Sequence, residues 1–325
     1  MPKIESKKLF IIKIALKKCS FTVSIKSGMG SAIFTNIGIF FLKQVAHLSF
    51  KFIYMLSDLL FFVVYYIAGY RKKVVTENLE KSFPDKSKDE LRTITKNFYR
   101  HLCDLILEAV KMHRMTEKDF RERMVLENPE LINQFYERGR SVVVLTMHYS
   151  NWEWSSCFPL GIKHKILGVY KPLHNAQFDA YLNKTRQKMG SYLVSNSSVL
   201  RVLVAARQNK ECVFTWLAAD QTPPHYHKFW IKFLNRDTIF YPGPASISKR
   251  FNHPVFFQKI EKTARGKYKT SFELLFENPK EKTEAEIMKA YADRMEKLIK
   301  NQPEYYLWSH RRWKHKRPKD IPLIH

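Results

Sequence analysis

The middle of the chain alternates short apolar runs with amphipathic stretches, a pattern typical of a sheet covered by helices. Apolar runs at 141–145, 166–170 and 212–218 predict buried strands. The stretches at 175–189 and 198–208 predict helices between them. Strands that alternate with helices in this way usually pair in parallel. The pattern therefore predicts an α/β fold with a largely parallel central sheet flanked by helices.

Three further elements extend this picture toward both ends of the chain. Apolar positions at three- and four-residue spacing predict a long amphipathic helix from Ser87 to about residue 112. Two runs at 254–261 and 268–276 predict a hairpin around Ala264-Arg265-Gly266, which makes the sheet mixed. A last helix is expected from Thr283 to about residue 299, because Glu286 completes a capping box with Thr283.

The N-terminal region combines a lysine-rich start with a strongly apolar segment. Residues 52–69, with Asp58 as their only charge, just reach the length needed to cross a bilayer, about 17 residues. Arg71 and the two lysines after it then place the rest of the chain on the cytoplasmic side by the positive-inside tendency. A membrane-spanning helix and a helix that lies in the membrane plane or in the fold both remain open, since Asp58 is costly in hydrocarbon.

Together these patterns divide the chain into three parts. We expect a basic N-terminal extension at 1–31, a membrane-associated apolar helical segment at 32–70 and a catalytic domain at 71–325. The fold class is thus α/β, with a mixed, largely parallel central sheet flanked by helices and an N-terminal membrane-associated helix.

Composition and charge narrow the function classes. Hydrophobic residues make up 45% and aromatic residues 14% of the 325 residues, which excludes a disordered chain. A mean hydropathy of −0.35 argues against a protein with many membrane spans. The 56 Lys and Arg against 30 Asp and Glu give a net charge of +26, which calls for an anionic partner. Nucleic acid, a lipid surface and an acidic substrate or protein are the three alternatives.

The most informative stretch is HYSNWE at 148–153, directly after the first predicted strand of the sheet. His148 would lie on the loop at the carboxyl end of that strand, where open α/β sheets place their sites. Ser150 or Asn151 can cap the next helix, and the loop can fold Glu153 back onto the imidazole. A carboxylate there would fix the tautomer of His148 and raise its basicity, which suits a general base.

This stretch resembles the H-x4-D/E motif of the bacterial lipid A biosynthesis acyltransferases, the group that transfers lauroyl and myristoyl chains. Many members have Phe-Gly where this chain has Tyr149-Ser150. Further segments resemble the family's other motifs, in the same order along the chain: YKPLHN at 170–175 followed by Asp179, Leu182, Arg186 and Gly190, ADQ at 219–221, FYPGPA at 240–245, and PEYYLWSHRRW at 303–313.

The resemblance implies transfer of a fatty acyl chain from an acyl-carrier-protein thioester to a hydroxyl of a lipid A precursor, without a covalent acyl-enzyme. His148 would be the general base and Glu153 its partner. Arg186 would either bind substrate or stabilise the oxyanion. Asp220 and Gln221 could position His148, the acceptor or Arg186. The full set of expected substrate-binding residues is Asn151, Lys171, Arg186, Asp220, Gln221, Arg311 and Arg312.

The same resemblance implies the partners and the location. We expect an acyl carrier protein, an anionic glycolipid acceptor and a membrane surface as partners, at the cytoplasmic face of the inner membrane. No nucleic acid partner and no cofactor are expected. A metal is not expected either, since His225 and His227 lack a third ligand in the sequence. Two alternatives remain: the same chemistry on another lipid acceptor, such as a lysophospholipid or an amino-acid lipid, and a membrane-tethered nucleic-acid-binding protein, for which no RNP1-like motif is present.

Overall fold

The computed structural model describes residues 29–227 and 229–324, and the lysine-rich start at 1–28 lies outside them. Among the described residues, five helices precede the sheet. The fourth of them is the long amphipathic helix that the apolar stripe predicts, and a capping box between Ser87 and Glu90 starts it. The five are α1 (Met29–His47), α2 (Phe50–Phe62, continued by a π-helical turn at Val63–Ile67), α3 (Lys72–Ser82), α4 (Lys88–Lys111) and α5 (Glu117–Arg123).

A seven-stranded sheet forms the centre of the domain. Its strands are β1 (Met124–Leu126), β2 (Val142–Thr146), β3 (Lys165–Tyr170), β4 (Tyr192–Ser195), β5 (Val213–Ala218), β8 (Val255–Ala264) and β9 (Lys267–Phe276). They lie in the order β1-β9-β8-β2-β5-β3-β4. Five neighbouring strands from β8 to β4 run parallel, and β9 pairs antiparallel with β8. This confirms the predicted α/β class with a mixed, largely parallel sheet. A separate hairpin is formed by β6 (Trp230–Phe233) and β7 (Arg236–Ile239).

Helices cover both faces of the sheet, which explains why β2 is buried along its whole length. Val143 and Leu145 point into the larger core on one face, and Val142 and Val144 into a smaller core on the other. The remaining helices are α6 (Glu130–Glu137), a 3₁₀ helix (Trp152–Leu160), α7 (Ala176–Arg186), α8 (Val199–Gln208), α9 (Gly243–Phe251), α10 (Glu284–Asn301) and two short 3₁₀ turns (Pro279–Glu281 and Pro303–Tyr305).

Most of the predicted elements are confirmed within a few residues of their ends. The hairpin of β8 and β9 turns where it was expected, and Thr283 and Glu286 form the capping box of α10. The stretch after Asn151 is a 3₁₀ helix, and it contains Pro159, which lacks the N–H that a regular α-helix needs. Four short strands, β1, β4, β6 and β7, were not predicted, because three or four residues carry too little pattern to identify them.

Helix α2 packs along α4 with one face, and its other face is apolar and exposed. Phe50–Ile67 is the one helix among the described residues that is long and apolar enough to cross a membrane. The costly Asp58 is paired with Arg265 in the turn between β8 and β9, at 2.7 Å. Three α2 residues are buried against the domain: Ile53, Ser57 and Phe61. Four large apolar side chains of its outer face are more than half exposed: Phe52, Met55, Leu59 and Phe62.

Candidate active site

Two neighbouring parallel strands bring His148 and Asp220 together at the carboxyl edge of the sheet. Strands β2 and β5 pair in parallel with Thr146 opposite Ala218. His148 and Asp220 each lie two residues beyond this pair. The strand register therefore places side chains that are 72 positions apart in the sequence side by side.

Asp220 holds His148 through both of its carboxylate oxygens. The Nδ1 of His148 lies 2.7 Å from Oδ1 of Asp220, and the backbone N–H of His148 donates to Oδ2 at 3.0 Å. On the other side of the ring, Nε2 lies 3.1 Å from Nε2 of Gln221. An ionised carboxylate only accepts hydrogen bonds, so the ring proton lies on Nδ1 and Nε2 accepts from the Gln221 amide. Nε2 is therefore the basic nitrogen.

The charges around His148 favour its protonated form. Burial alone would lower the pKa of His148, but the attraction and the hydrogen bond of Asp220 outweigh it and raise the pKa above its ordinary value. Burial likewise opposes ionisation of Asp220, and the attraction of His148 together with its two hydrogen bonds keeps the pKa of that carboxyl low. The pair can thus accept a proton at Nε2 and stabilise the resulting imidazolium.

Glu153 does not occupy the place that the sequence analysis expected for it. Its carboxylate accepts two hydrogen bonds from Arg186, from Nε at 2.9 Å and Nη2 at 2.7 Å, and one from the indole of Trp152. The carboxylate on the imidazole is that of Asp220, while Glu153 raises the pKa of His148 only through its charge. The expected contact was therefore wrong, because the chain turns at Ser150, in the left-handed region with φ of 55°, before the 3₁₀ helix begins.

Asn151, predicted to bind substrate, has its side chain hydrogen bonded within the protein. It is fully buried. Its Oδ1 accepts from the backbone N–H of Trp154 and so caps the 3₁₀ helix, and its Nδ2 donates to Oε2 of Glu108 at 2.7 Å. Both ends of the amide are hydrogen bonded within the protein, and a role of Asn151 in substrate binding stays a prediction.

Arg312 is also buried, at 1% exposure, and its role in substrate binding stays a prediction. Its Nη1 donates to the carbonyl of Ile239 at 2.7 Å, and its guanidinium lies over the ring of Phe240. The positive charge of Arg312 helps to keep the pKa of Asp220 low. Arg312 thus acts on the site electrostatically, through the carboxylate of Asp220. Its neighbour Arg311 is exposed.

The other predicted site residues lie at or near the same edge of the sheet. Lys171 is exposed and follows the last residue of β3, which is next to β5 in the sheet. Gln221 is exposed beside the imidazole. Arg186 is partly exposed, and two of its guanidinium nitrogens hold Glu153, which leaves N–H groups on Nη1 for another acceptor. The structure therefore brings together His148, Glu153, Arg186, Asp220 and Gln221.

Glu108 is a buried carboxylate next to this site that the sequence analysis missed. It is fully buried and accepts hydrogen bonds from Tyr54 of α2, from Asn151 and from Tyr268 of β9. Burial raises the pKa of Glu108. Its position three residues after Leu105 and four before Met112 places it in the apolar stripe of α4, and a charged residue at such a position is the signal that reveals it.

The cysteine that follows the motif in sequence, Cys157, lacks the character of a nucleophile. Cys157 lies in the 3₁₀ helix after the motif, but it is 1% exposed. Burial raises the pKa of Cys157 to about 12, so the thiol stays protonated. The site therefore combines a histidine, two carboxylates and an arginine, groups that are suited to proton transfer and to binding an anion.

The model of one protein family, described as bacterial lipid A biosynthesis acyltransferase, matches residues 23–315. The chain belongs to this family. It is an acyltransferase of the class that moves acyl groups other than aminoacyl groups, and its acceptor is a lipid A precursor.

Individual relatives of this acyltransferase are distant but match along most of their length. The lipid A biosynthesis palmitoleoyltransferase of Escherichia coli (strain K12) is 23% identical over 250 residues, which cover 75% of this chain and 79% of the relative. The lipid A biosynthesis acyltransferase of Haemophilus influenzae is 22% identical over 262 residues, covering 78% and 81%. The family match includes the residues of the candidate site.

Proposed function

We propose that His148 is the general base of this acyltransferase and that Asp220 is its direct partner, with Glu153 as a second, electrostatic partner. The observation that carries the proposal is the hydrogen bonding of the imidazole: Asp220 fixes Nδ1, and the opposite nitrogen faces Gln221 at the exposed edge of the sheet. A base must present an unprotonated nitrogen to the hydroxyl that it activates, and only Nε2 is in that state here.

The reaction then proceeds by one addition and one elimination. The acceptor hydroxyl displaces the amide of Gln221 from Nε2 of His148 and gives its proton to that nitrogen. The oxygen attacks the thioester carbonyl, a C–O bond forms, and the carbonyl oxygen becomes an oxyanion. Collapse of this intermediate breaks the C–S bond, and the proton on His148 passes to the leaving thiolate. No acyl group is attached to the protein at any stage.

Arg186 is the residue that we assign to the developing negative charge. Glu153 holds its guanidinium by two hydrogen bonds, which fixes its direction before substrate arrives. The two N–H groups of Nη1 can donate to the oxyanion or to the phosphate of a phosphopantetheine arm. The acyl donor in this proposal is an acyl-carrier-protein thioester, whose acidic protein fits the net charge of +26.

We further propose that the enzyme lies on the cytoplasmic face of the inner membrane, with α2 in the plane of that surface. Tyr54 is hydrogen bonded to Glu108 of α4 and Ser57 to Asp104 of α4, and the ring of Tyr65 contacts that of Tyr99. Helix α2 is therefore attached to α4 along its whole length. A spanning orientation would draw these polar groups of α4 into hydrocarbon, whereas an in-plane orientation buries only the exposed apolar face.

The test is an assay of purified protein with acyl-carrier-protein thioesters of different chain length and a panel of lipid A precursors, with the product identified by mass. We expect His148→Ala to lose transfer almost completely while its melting temperature and its binding to vesicles stay near those of the wild type. His225→Ala, which changes an exposed histidine, is the matched control and is expected to keep full activity. Full activity of the His148 variant would refute the proposal.

A further inference from the structure

A cavity of about 730 Å³ lies apart from the candidate active site, between the carboxyl end of α4 and one face of α7. Arg114 and His113, just after α4, form one wall, and Asn183, Lys184 and Lys188 form the other. Successive residues of a helix differ by about 100° in direction, so Lys184 and Arg186 point about 200° apart. The cavity is therefore on the opposite side of α7 from the Arg186 that holds Glu153.

The lining of this cavity carries several positive charges and no carboxylate. Arg114 and Lys184 are exposed, and within residues 29–227 and 229–324 neither forms an ion pair. Lys188 is held in place, because its ammonium donates to the carbonyls of His113 and Met115. Cations gathered without a counter-charge repel one another, and a bound anion would relieve that repulsion.

The pKa of His113 reflects the same concentration of charge. Burial lowers it, and four cations lower it further: Lys43, Lys188, Arg114 and Lys184. Two acidic side chains approach the lining residues. Asp179 accepts a hydrogen bond from Asn183 at 2.9 Å. Burial lowers the pKa of Lys188, and the charge of Asp119 acts in the opposite direction. The Asp119 carboxylate is already used, since it accepts hydrogen bonds from the backbone and the hydroxyl of Thr116 in the capping box of α5.

Helix α1 joins this cavity to an exposed apolar surface. It packs on both α4 and α7. Asn175, the cap of α7, donates to Thr35, and Lys111 of α4 donates to the carbonyls of Ala46 and Leu48. Lys43 of α1 belongs to the charges around His113. The other sides of α1 expose large apolar residues: Phe34, Ile37, Phe40 and Phe41.

We propose that this basic cavity binds the phosphate head group of a membrane lipid, separately from the reacting acceptor hydroxyl. A lipid at the surface would have its phosphate between Arg114, Lys184 and Lys188 and its chains beside the apolar residues of α1. A concave site of this volume accommodates a small anionic group, and Arg with Lys is the donor set that binds phosphate. The inference rests on the membrane attachment proposed above.

The experiment compares two double variants that each remove two exposed positive charges. Arg114→Gln/Lys184→Gln changes the cavity, and Arg201→Gln/Lys210→Gln changes α8 and the turn after it, away from the cavity. Binding is measured by co-sedimentation with phosphatidylcholine vesicles that contain either phosphatidic acid or, at equal surface charge, oleate. Melting temperatures check that both variants fold.

We expect the cavity variant to bind phosphatidic acid vesicles about thirtyfold more weakly than the wild type, the effect of two basic contacts with anionic lipid. The cavity variant should lose much less binding affinity for oleate vesicles, and the control variant should lose little affinity for either type of vesicle. Equal losses of the two variants, or equal losses on the two vesicle types, would overturn the proposal, because both results indicate general charge attraction.

Two further measurements identify the occupant. Dihexanoyl phosphatidic acid should raise the melting temperature of the wild type more than inorganic phosphate at the same concentration, and equal shifts would make this a site for free phosphate. If the cavity variant binds phosphatidic acid normally but no longer binds an acyl carrier protein, the cavity is a protein-docking site, against the proposal. Wild-type transfer activity tests the proposed reaction independently, since neither binding measurement depends on catalysis.

Discussion

Replacing Asp220 by Asn tests the assignment of the partner of His148. The carboxylate of Asp220 receives the backbone N–H of His148 on one oxygen and faces Nδ1 with the other. An asparagine that keeps the first bond through its carbonyl oxygen presents its NH₂ to Nδ1. The imidazole must then carry its proton on Nε2, the nitrogen that should act as the base.

The size of the effect follows from the geometry of the pair. The Nδ1 and Oδ1 atoms are 2.7 Å apart, and the side chains are only 19% and 3% exposed. Two unit charges with centres about 4 Å apart attract by about 4 kcal/mol at an effective dielectric constant of about 20. This attraction stabilises the imidazolium that forms during transfer. We therefore expect the Asp220→Asn variant to lose roughly 10³-fold in kcat/KM.

The pH profile gives a second result with a defined sign. A general base works in its neutral form, so the rate rises with pH through the pKa of His148. Burial lowers this pKa and Asp220 raises it, so the Asn variant should show its rising limb at lower pH than the wild type. The assay is thioester cleavage in the presence of a lipid A precursor, followed across pH, with Asp85→Asn as an exposed control.

Two outcomes would refute this reasoning. Activity of the Asp220→Asn variant within about threefold of the wild type would mean that the pair contributes little to the rate, since its attraction is worth about three powers of ten. A larger shift of the rising limb in Glu153→Gln than in Asp220→Asn would make Glu153 the main partner. Melting temperatures of both variants separate loss of function from loss of fold.

Three other predictions concern membrane binding and stability. Leu59→Asp, on the exposed face of α2, should weaken binding to vesicles at least tenfold without lowering the melting temperature. The reason is that burial of the Leu59 side chain in the membrane contributes about 2 kcal/mol to the binding free energy. Glu108→Ala should lower the free energy of unfolding by about 3 kcal/mol or more in denaturant titration, since the donors of Tyr54, Asn151 and Tyr268 lose their acceptor. Ser150→Gly should raise the melting temperature by about 2 °C, because glycine relieves the left-handed backbone and removes a buried hydroxyl without a partner.

Each of these predictions has a control or a contrary outcome. Glu80→Ala removes an exposed glutamate of α3 and should change stability by less than about 0.5 kcal/mol. Unchanged vesicle binding of Leu59→Asp would argue against the in-plane orientation of α2. A lower melting temperature for Ser150→Gly would mean that the hydroxyl of Ser150 stabilises the turn after His148.

Many of the local features of this protein follow from its sequence alone. The apolar run before His148 is buried on both faces only if helices cover both sides of the sheet. It therefore identifies a central strand and places His148 at the end of that strand. The caps at Ser87 and Thr283 and the turn at Gly266 are also local, because they depend on residues within one turn of the chain. The family motifs then indicate an acyltransferase, which the match over 23–315 confirms.

Only the tertiary structure decides which groups meet at the site. Glu153 is five residues from His148 and pairs with Arg186, while Asp220, 72 residues away, holds the imidazole. Strand pairing sets this choice, since the register of β2 and β5 depends on hydrogen bonds between distant segments. Burial is decided in the same way: Asn151 and Arg312 have the chemistry of binding residues, but the packing of α4 and of the segment after α10 encloses them. Sequence spacing records distance along the chain, whereas hydrogen bonding and burial depend on distance in space.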